Sequence, residues 1–170
     1  MCQYMNNEQD RVLHEISPVY DTRSKILILG SFPSVKSREM NFFYGHPQNR
    51  FWKLLASLLG EEQPMTIEEK RAFLLRHHIA VWDVIESCTI TGSSDSSIRD
   101  VVPNDLSPIL NSADIQMIFC NGAASFKLYE RYIKKTVYRE AIKLPSTSPA
   151  NAAYSLEKLA VYWKEILEYI

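Results

Sequence analysis

The run Lys25-Ile26-Leu27-Ile28-Leu29-Gly30 limits the folds open to this chain more than any other feature. It sets aliphatic residues side by side between a charged start and a glycine stop, with no polar residue to mark a solvent side. Such a strand has to be covered on both faces, which places it in the middle of a parallel sheet with helices above and below. Ile79–Ile85 (IAVWDVI), interrupted only by Asp83, and Ile115–Cys120 (IQMIFC), closed by Asn121-Gly122, have the same character, and Glu140–Leu144 reads as a fourth strand.

Helical patterns separate these runs. Phe51, Trp52, Leu54, Leu55, Leu58 and Leu59 recur at helical spacing and end near Gly60. Thr66 with Glu69 forms a capping box for a helix over Ile67–His78. Ala123–Lys135 sets Phe126, Tyr129 and Ile133 on one face, and Ala153–Ile170 carries an apolar stripe of Leu156, Leu159, Ala160, Trp163, Ile166 and Leu167. Strands alternating with helices pair in parallel through right-handed crossovers, so the predicted fold is α/β, a three-layer α/β/α sandwich around a central parallel sheet of about four strands. The 170 residues fit one domain, 1–170, able to bury roughly two thirds of its unfolded surface.

Ligands of open parallel sheets bind beyond the carboxyl ends of the strands. Here those ends lead into Ser31–Ser34, Asp83–Cys88, Asn121-Gly122 and Pro145–Asn151, all polar. In Gly30-Ser31-Phe32-Pro33-Ser34 the backbone N–H groups can meet an anion or a carbonyl, or the segment is a plain turn. The Gly-Lys-Ser/Thr ending of a phosphate-binding loop is missing. Asp83 is costly to bury without a partner, so it pairs internally or faces the site. Asn121 reads equally as a turn residue or as a reader of a base edge.

Tyr44-Gly45-His46-Pro47-Gln48-Asn49-Arg50-Phe51-Trp52 gathers aromatic, amide and cationic groups at the start of a helix. Tyr44 offers a face for stacking or joins Phe42 and Phe43 in the core, and His46 orients the turn. Asn49 either caps the helix or accepts from a water while donating to a substrate oxygen. Pro145–Asn151 is rich in hydroxyls and stiffened by prolines, which suits Ser146, Thr147, Ser148 and Pro149 to a phosphate backbone. The other reading is a linker that caps the last helix through Asn151.

A net charge of −1 gives no global attraction to nucleic acid. Lys127 and Arg131 belong to a local cluster of six basic residues between 127 and 143, either a binding patch or a solvated helix face. Cys2, Cys88 and Cys120 are odd in number and lack CxxC spacing, which argues against disulfides, a four-cysteine metal site and an iron–sulfur cluster. No cofactor or metal is expected. No apolar run reaches the roughly 18 residues that span a bilayer, and Met1–Glu8 lacks the pattern of a signal peptide, so a cytoplasmic protein is expected.

Three segments in order, Gly30–Ser34, Gly45–Trp52 and Leu144–Asn151, resemble the uracil-DNA glycosylase superfamily and are most similar to its hypoxanthine (deoxyinosine) DNA glycosylase branch. The middle segment is similar to the HPxNRFW stretch of the mismatch-specific uracil enzymes. Two departures stand out. Phe32 occupies the place where many members carry Asp, Asn or Glu, and Leu144 the place where classical members carry His or Asn ahead of Pro-Ser. The resemblance therefore points away from efficient uracil excision and toward deoxyinosine, with Asn49 as the catalytic residue.

The resemblance also implies a monofunctional hydrolase that cleaves the N-glycosidic bond of a deaminated base in double-stranded DNA. Tyr44 would stack on the flipped base, while Ser31, Phe32, Ser34, Asp83 and Asn121 bind its edge. The Ser146–Pro149 loop, Lys127 and Arg131 would hold the DNA. The alternatives are a mismatch-specific uracil-DNA glycosylase, a non-catalytic lesion-binding module and a nucleoside hydrolase.

Overall fold

The computed structural model describes residues 11–170. Cys2 and the Met1–Glu8 segment lie outside the described residues. The chain runs through β1 (Val12–Leu13), β2 (Ile26–Gly30), α1 (Val35–Met40), α2 (Phe51–Leu59), α3 (Ile67–Arg76), β3 (Ile79–Asp83), β4 (Ile85–Thr89), β5 (Arg99–Pro103), α4 (Ser107–Ser112), β6 (Met117–Asn121), α5 (Ala123–Tyr132), α6 (Lys134–Val137), β7 (Ala141–Leu144) and α7 (Leu156–Trp163). Short 3-10 turns occupy Asp95–Ser97 and Lys164–Glu168.

β2 is central, as its composition requires. Four parallel strands stand in the order β3-β2-β6-β7. Alternation along β2 divides the core in two. Ile26 and Ile28 join Val81 and Phe119 under α2, α3 and α7, packing on Phe51, Leu55, Phe73 and Trp163. Leu27 and Leu29 join Ala80, Ile118 and Cys120 on the other face, against Ile109 of α4 and Tyr129 of α5. All of these side chains are buried.

A second sheet has no counterpart in the sequence reading. β1, β4 and β5 pair antiparallel in the order β1-β4-β5. The predicted strand Ile79–Ile85 is two strands, and most of the predicted loop Asp83–Cys88 is the second of them. The chain leaves the parallel sheet at Val84, whose N–H donates to Gly30 O at 2.8 Å, while Ile85 donates to Ser31 O at 3.2 Å. Hydrophobic pattern does not show this break, because both halves are apolar and turn on no glycine or proline.

Helix ends differ as well. The capping box of Thr66 and Glu69 forms as read. The predicted Ala123–Lys135 helix breaks at Ile133. The last helix begins at Leu156, capped by Ser155, whose hydroxyl accepts from Lys158 N–H. Asn151 does not cap it; the amide of Asn151 donates to Ser146 O at 3.0 Å and braces the loop instead. No helix among the described residues is long and apolar enough to cross a membrane.

Candidate active site

The carboxyl ends of β2, β3 and β6 open into a cavity of about 330 Å³. Register builds its floor. Gly30 pairs with Asp83 on one side, and on the other Asn121 follows Cys120, the partner of Leu29. Asp83 and Asn121 therefore flank Gly30, each about one strand spacing, roughly 4.8 Å, away. A Cβ on Gly30 would overlap Asp83 Oδ1, so glycine alone leaves this slot open.

Asp83 is 4% exposed. Its Oδ2 sits 2.7 Å from His14 Nε2, and the His14 side chain is as deeply buried. His14 Nδ1 is buried without a partner among the described residues, while Nε2 faces the carboxylate, an acceptor that calls for an N–H there. Oδ1 has no hydrogen-bond partner among the described residues and lies over Gly30 in the cavity lining. At the mouth, Asp95 lines the cavity and accepts from the Ser31 hydroxyl at 2.7 Å. Desolvation holds its carboxyl above the ordinary range, the Ser31 bond opposes the rise, and the Asp83 charge adds to it.

Tyr44 forms a wall. One face of its ring stacks on Phe51 with centroids 3.9 Å apart, and its hydroxyl is buried without a partner among the described residues. Burial, with the Asp83 charge second, drives that phenol far above its usual range, so it stays protonated. Tyr44 has φ +52°, a strained value for a bulky residue. The neighbouring loop holds it there: Gly45 N–H donates to Ser37 Oγ, and Ser37 bonds Ser34, the N-cap of α1.

Asn49 stands at the start of α2. Its Oδ1 accepts from Phe51 N–H at 3.0 Å and from the Thr147 hydroxyl at 2.9 Å. The N-cap position of α2 is Arg50, which has no side-chain cap bond, so Asn49 turns the chain into the helix from one residue ahead; its oxygen is occupied by protein donors, leaving the NH2 group for the cavity. The expectation that this amide accepts from a water does not fit the geometry.

Arg50 fastens the last loop. Its backbone N–H and Nε reach Thr147 O, Nη2 reaches Ser148 O at 2.8 Å and Asn151 O at 3.1 Å, and Nη1 donates to Tyr154 O. Trp163 Nε1 adds a bond to Pro145 O at 2.9 Å. Gly122, at φ +100°, lets the loop lie on the end of β6, since a Cβ there would press on Ser146 at 3.0 Å.

The sequence profile described as the Uracil DNA glycosylase superfamily matches residues 17–169. The chain belongs to the uracil-DNA glycosylase superfamily. A hypoxanthine DNA glycosylase of Methanosarcina barkeri is 35% identical over 150 residues, covering 87% of this chain and 93% of that one. One from Methanosarcina acetivorans is 36% identical over 138 residues, covering 81% and 87%. A solution NMR structure from Methanosarcina acetivorans, named as a candidate uracil DNA glycosylase, superposes with a TM-score of 0.74 at 32% identity, covering 89% of this chain and 96% of that one. Membership places the protein among the DNA glycosylases.

In this superfamily member, Ser31, Phe32, Ser34, Tyr44, Asn49, Asp83 and Asn121 all line one cavity, as do Ser146, Thr147, Ser148 and Pro149. Phe32 is 8% exposed and Leu144 2%, so both apolar replacements are packed into the fold. Thr147 has no exposed surface and its hydroxyl is consumed internally, which leaves no group free for a phosphate; that part of the DNA-contact expectation is corrected. Lys127 and Arg131 are exposed on α5 but do not line the cavity. That helix starts beside Gly122 and runs away from the mouth, carrying Arg131 about 12 Å along it at 1.5 Å per residue. Lys134 is engaged by Glu130 and Glu140, and Arg139 by Ile115 O.

His14, Asp95 and the Arg50 clamp were not singled out from sequence. The only trace of Asp95 is a lone carboxylate in Gly92-Ser93-Ser94-Asp95-Ser96-Ser97, and His14 lies in a short segment with no pattern of its own. The buried cysteines are poor nucleophiles: burial raises the Cys88 thiol and pushes Cys120 up to about 12.

Proposed function

We propose that the protein hydrolyses the N-glycosidic bond of deaminated bases in double-stranded DNA, hypoxanthine foremost, and so begins base excision repair. The observation that carries the reading is the slot over Gly30, with an unbonded Asp83 oxygen on one side and the Asn121 amide on the other. Hypoxanthine, like uracil, presents a ring N–H beside a carbonyl, a donor and an acceptor that match a carboxylate and an amide N–H. Adenine presents a bare ring nitrogen in the same place, which a buried carboxylate repels. Sites built around a hydrogen bond discriminate strongly against partners that leave it unmade. The names of the Methanosarcina relatives agree with this choice.

The base reaches the slot by leaving the stack, at a cost of about a few kcal/mol. Tyr44, held on Phe51, lies against it. Asn49 holds the attacking water by donating from its NH2 group to one lone pair of the water oxygen, which leaves the other directed at the sugar C1′. As the bond breaks, charge moves onto the base, where Asn121 and the backbone N–H groups of Ser31–Ser34 stabilise it. An electrophilic, oxocarbenium-like sugar needs placement of water more than a strong base. Among the described residues no lysine lines the cavity, so release follows hydrolysis without a Schiff base. The work is that of a cytoplasmic enzyme without a cofactor.

The test is incubation with duplexes carrying deoxyinosine, uracil or xanthine, with adenine and guanine duplexes as controls, followed by alkaline cleavage of abasic sites. Strand breaks at deoxyinosine, and none before alkali, are expected. Breaks mainly at uracil would make the protein a mismatch-specific uracil enzyme, and tight binding without any break a lesion-binding module.

A further inference from the structure

Thr147 has no exposed surface, yet it carries three hydrogen bonds to the two asparagines of the cavity. Its N–H donates to Asn121 Oδ1 at 3.0 Å, its Oγ1 accepts from Asn121 Nδ2 at 3.0 Å, and its hydroxyl donates to Asn49 Oδ1 at 2.9 Å. We propose that Thr147 is a positioning residue that locks the Asn49 amide with its oxygen inward and its NH2 toward the cavity, so that Asn49 serves the reaction as a donor only. The proposal rests on the reading of this cavity as the glycosylase centre.

Amide orientation is normally inferred from the surrounding network, and here the network leaves one solution. Each end is set by a backbone N–H, which has only one polarity. The Thr147 N–H requires oxygen at its Asn121 contact, so the other arm of that amide is a donor into Thr147 Oγ1. With Oγ1 accepting there, its single proton is free for Asn49. The Phe51 N–H requires oxygen at its Asn49 contact, and that oxygen also takes the Thr147 proton. Rotating the Asn49 amide by half a turn would set donor against donor at both of its contacts, and rotating Asn121 would set its NH2 against the Thr147 N–H and its oxygen against a hydroxyl whose proton is committed to Asn49. A β-branched residue is stiff at χ1, which suits threonine better than serine to hold a hydroxyl between two partners.

The relay joins three segments distant in sequence: Asn49 and Thr147 are 98 residues apart, and Asn121 and Thr147 are 26 apart. Thr147 therefore acts on the reaction through Asn49, without touching the substrate.

The experiment compares Thr147→Val, which keeps shape and loses the hydroxyl, with Thr147→Ser, which keeps the hydroxyl. With deoxyinosine duplex, Thr147→Val is expected to lower kcat by about tenfold or more with KM nearly unchanged, the size of one lost hydrogen bond in the transition state. Thr147→Ser restores most of the rate, and Thr147→Val adds no further loss in an Asn49→Ala background. Wild-type turnover by Thr147→Val, or equal loss in the valine and serine variants, would overturn the proposal.

If the valine variant gives no cooperative melt, Asn49→Asp decides, because it replaces the cavity-facing NH2 by an oxygen. A loss of about tenfold or more supports the donor role, and retained activity removes it. A readout independent of activity separates this proposal from the glycosylase reading. In 15N spectra the side-chain amide signals of Asn49 and Asn121 shift in Thr147→Val and return toward their wild-type positions in Thr147→Ser if the relay exists, and respond alike in both variants if it does not, whether or not the wild-type protein releases any base.

Discussion

Gly30 and Asp83 occupy one space: they are register partners on adjacent strands, and a Cβ on Gly30 would overlap Asp83 Oδ1 and stand 3.3 Å from the Tyr44 hydroxyl. The cavity floor has room for the Asp83 oxygen beside the Tyr44 hydroxyl because this position has no side chain.

Gly30→Ala should therefore fill that room. Neither neighbour is the loose end of a flexible chain, since Asp83 is pinned by His14 and Tyr44 by Phe51. Overpacking of this kind costs about 1–3 kcal/mol. A lowered melting temperature is expected, together with near-complete loss of deoxyinosine excision and little change in affinity for undamaged duplex. Excision at the wild-type rate would show that the base lies elsewhere.

His14 is the partner that aims Asp83. In His14→Phe the ring volume remains and the donor is gone, leaving a buried carboxylate oxygen unpaired, at a cost of about 1–3 kcal/mol. Of the rings packed on His14, Phe32 and Phe43 carry no donor and the Trp82 indole N–H is taken by Ile16 O. Chemical denaturation and kinetics on deoxyinosine duplex should both register the loss, and His14→Gln, which retains a donor, should recover part of each. Equal behaviour of the two variants would assign the pair no role.

Arg50 is a structural clamp, and lysine is not an equivalent. One ammonium lacks the planar fork that reaches the carbonyls of Ser148, Asn151 and Tyr154 together. Arg50→Lys should raise hydrogen exchange across residues 147–154 and lower kcat through the loss of Thr147 alignment, while the core amides of Ile26–Gly30 stay protected. Unchanged exchange in the loop would contradict the clamp.

Asp95 supplies a pH signature. Its carboxyl lies above the ordinary range when folded, chiefly through desolvation, so the folded state binds that proton more tightly than the unfolded chain. Stability is then lost as pH rises from below the unfolded value through the folded one. Asp95→Asn lacks this term. Its melting temperature should exceed that of the wild-type protein at neutral pH, and the difference should vanish as pH falls below the carboxylate range of about 4. A difference independent of pH would refute the assignment.

Particular residues show where sequence reasoning reached its end. Val84 divides two strands without glycine or proline, because the change of sheet is made by hydrogen bonds to Gly30 and Ser31, partners far away in the chain. Ser155 caps the last helix where Asn151 had the right chemistry, because Asn151 is drawn to Ser146 by the closed loop. Phe32 and Leu144, in contrast, were legible as apolar departures once the resemblance had been drawn, since residue type alone shows that neither side chain carries a polar group.

The sequence by itself determined the parallel sheet and the segments that meet at its carboxyl edge: a run apolar on both faces has only the middle of a covered sheet to occupy, and the loops that follow such strands emerge together. Only the tertiary structure decided what those segments do to one another. It brought His14 to Asp83 across 69 residues and Ser31 to Asp95 across 64, buried Thr147, and turned the Asn49 oxygen away from the cavity. A side chain's chemistry is written in its residue type, but which of its atoms remain free depends on the neighbours that folding supplies.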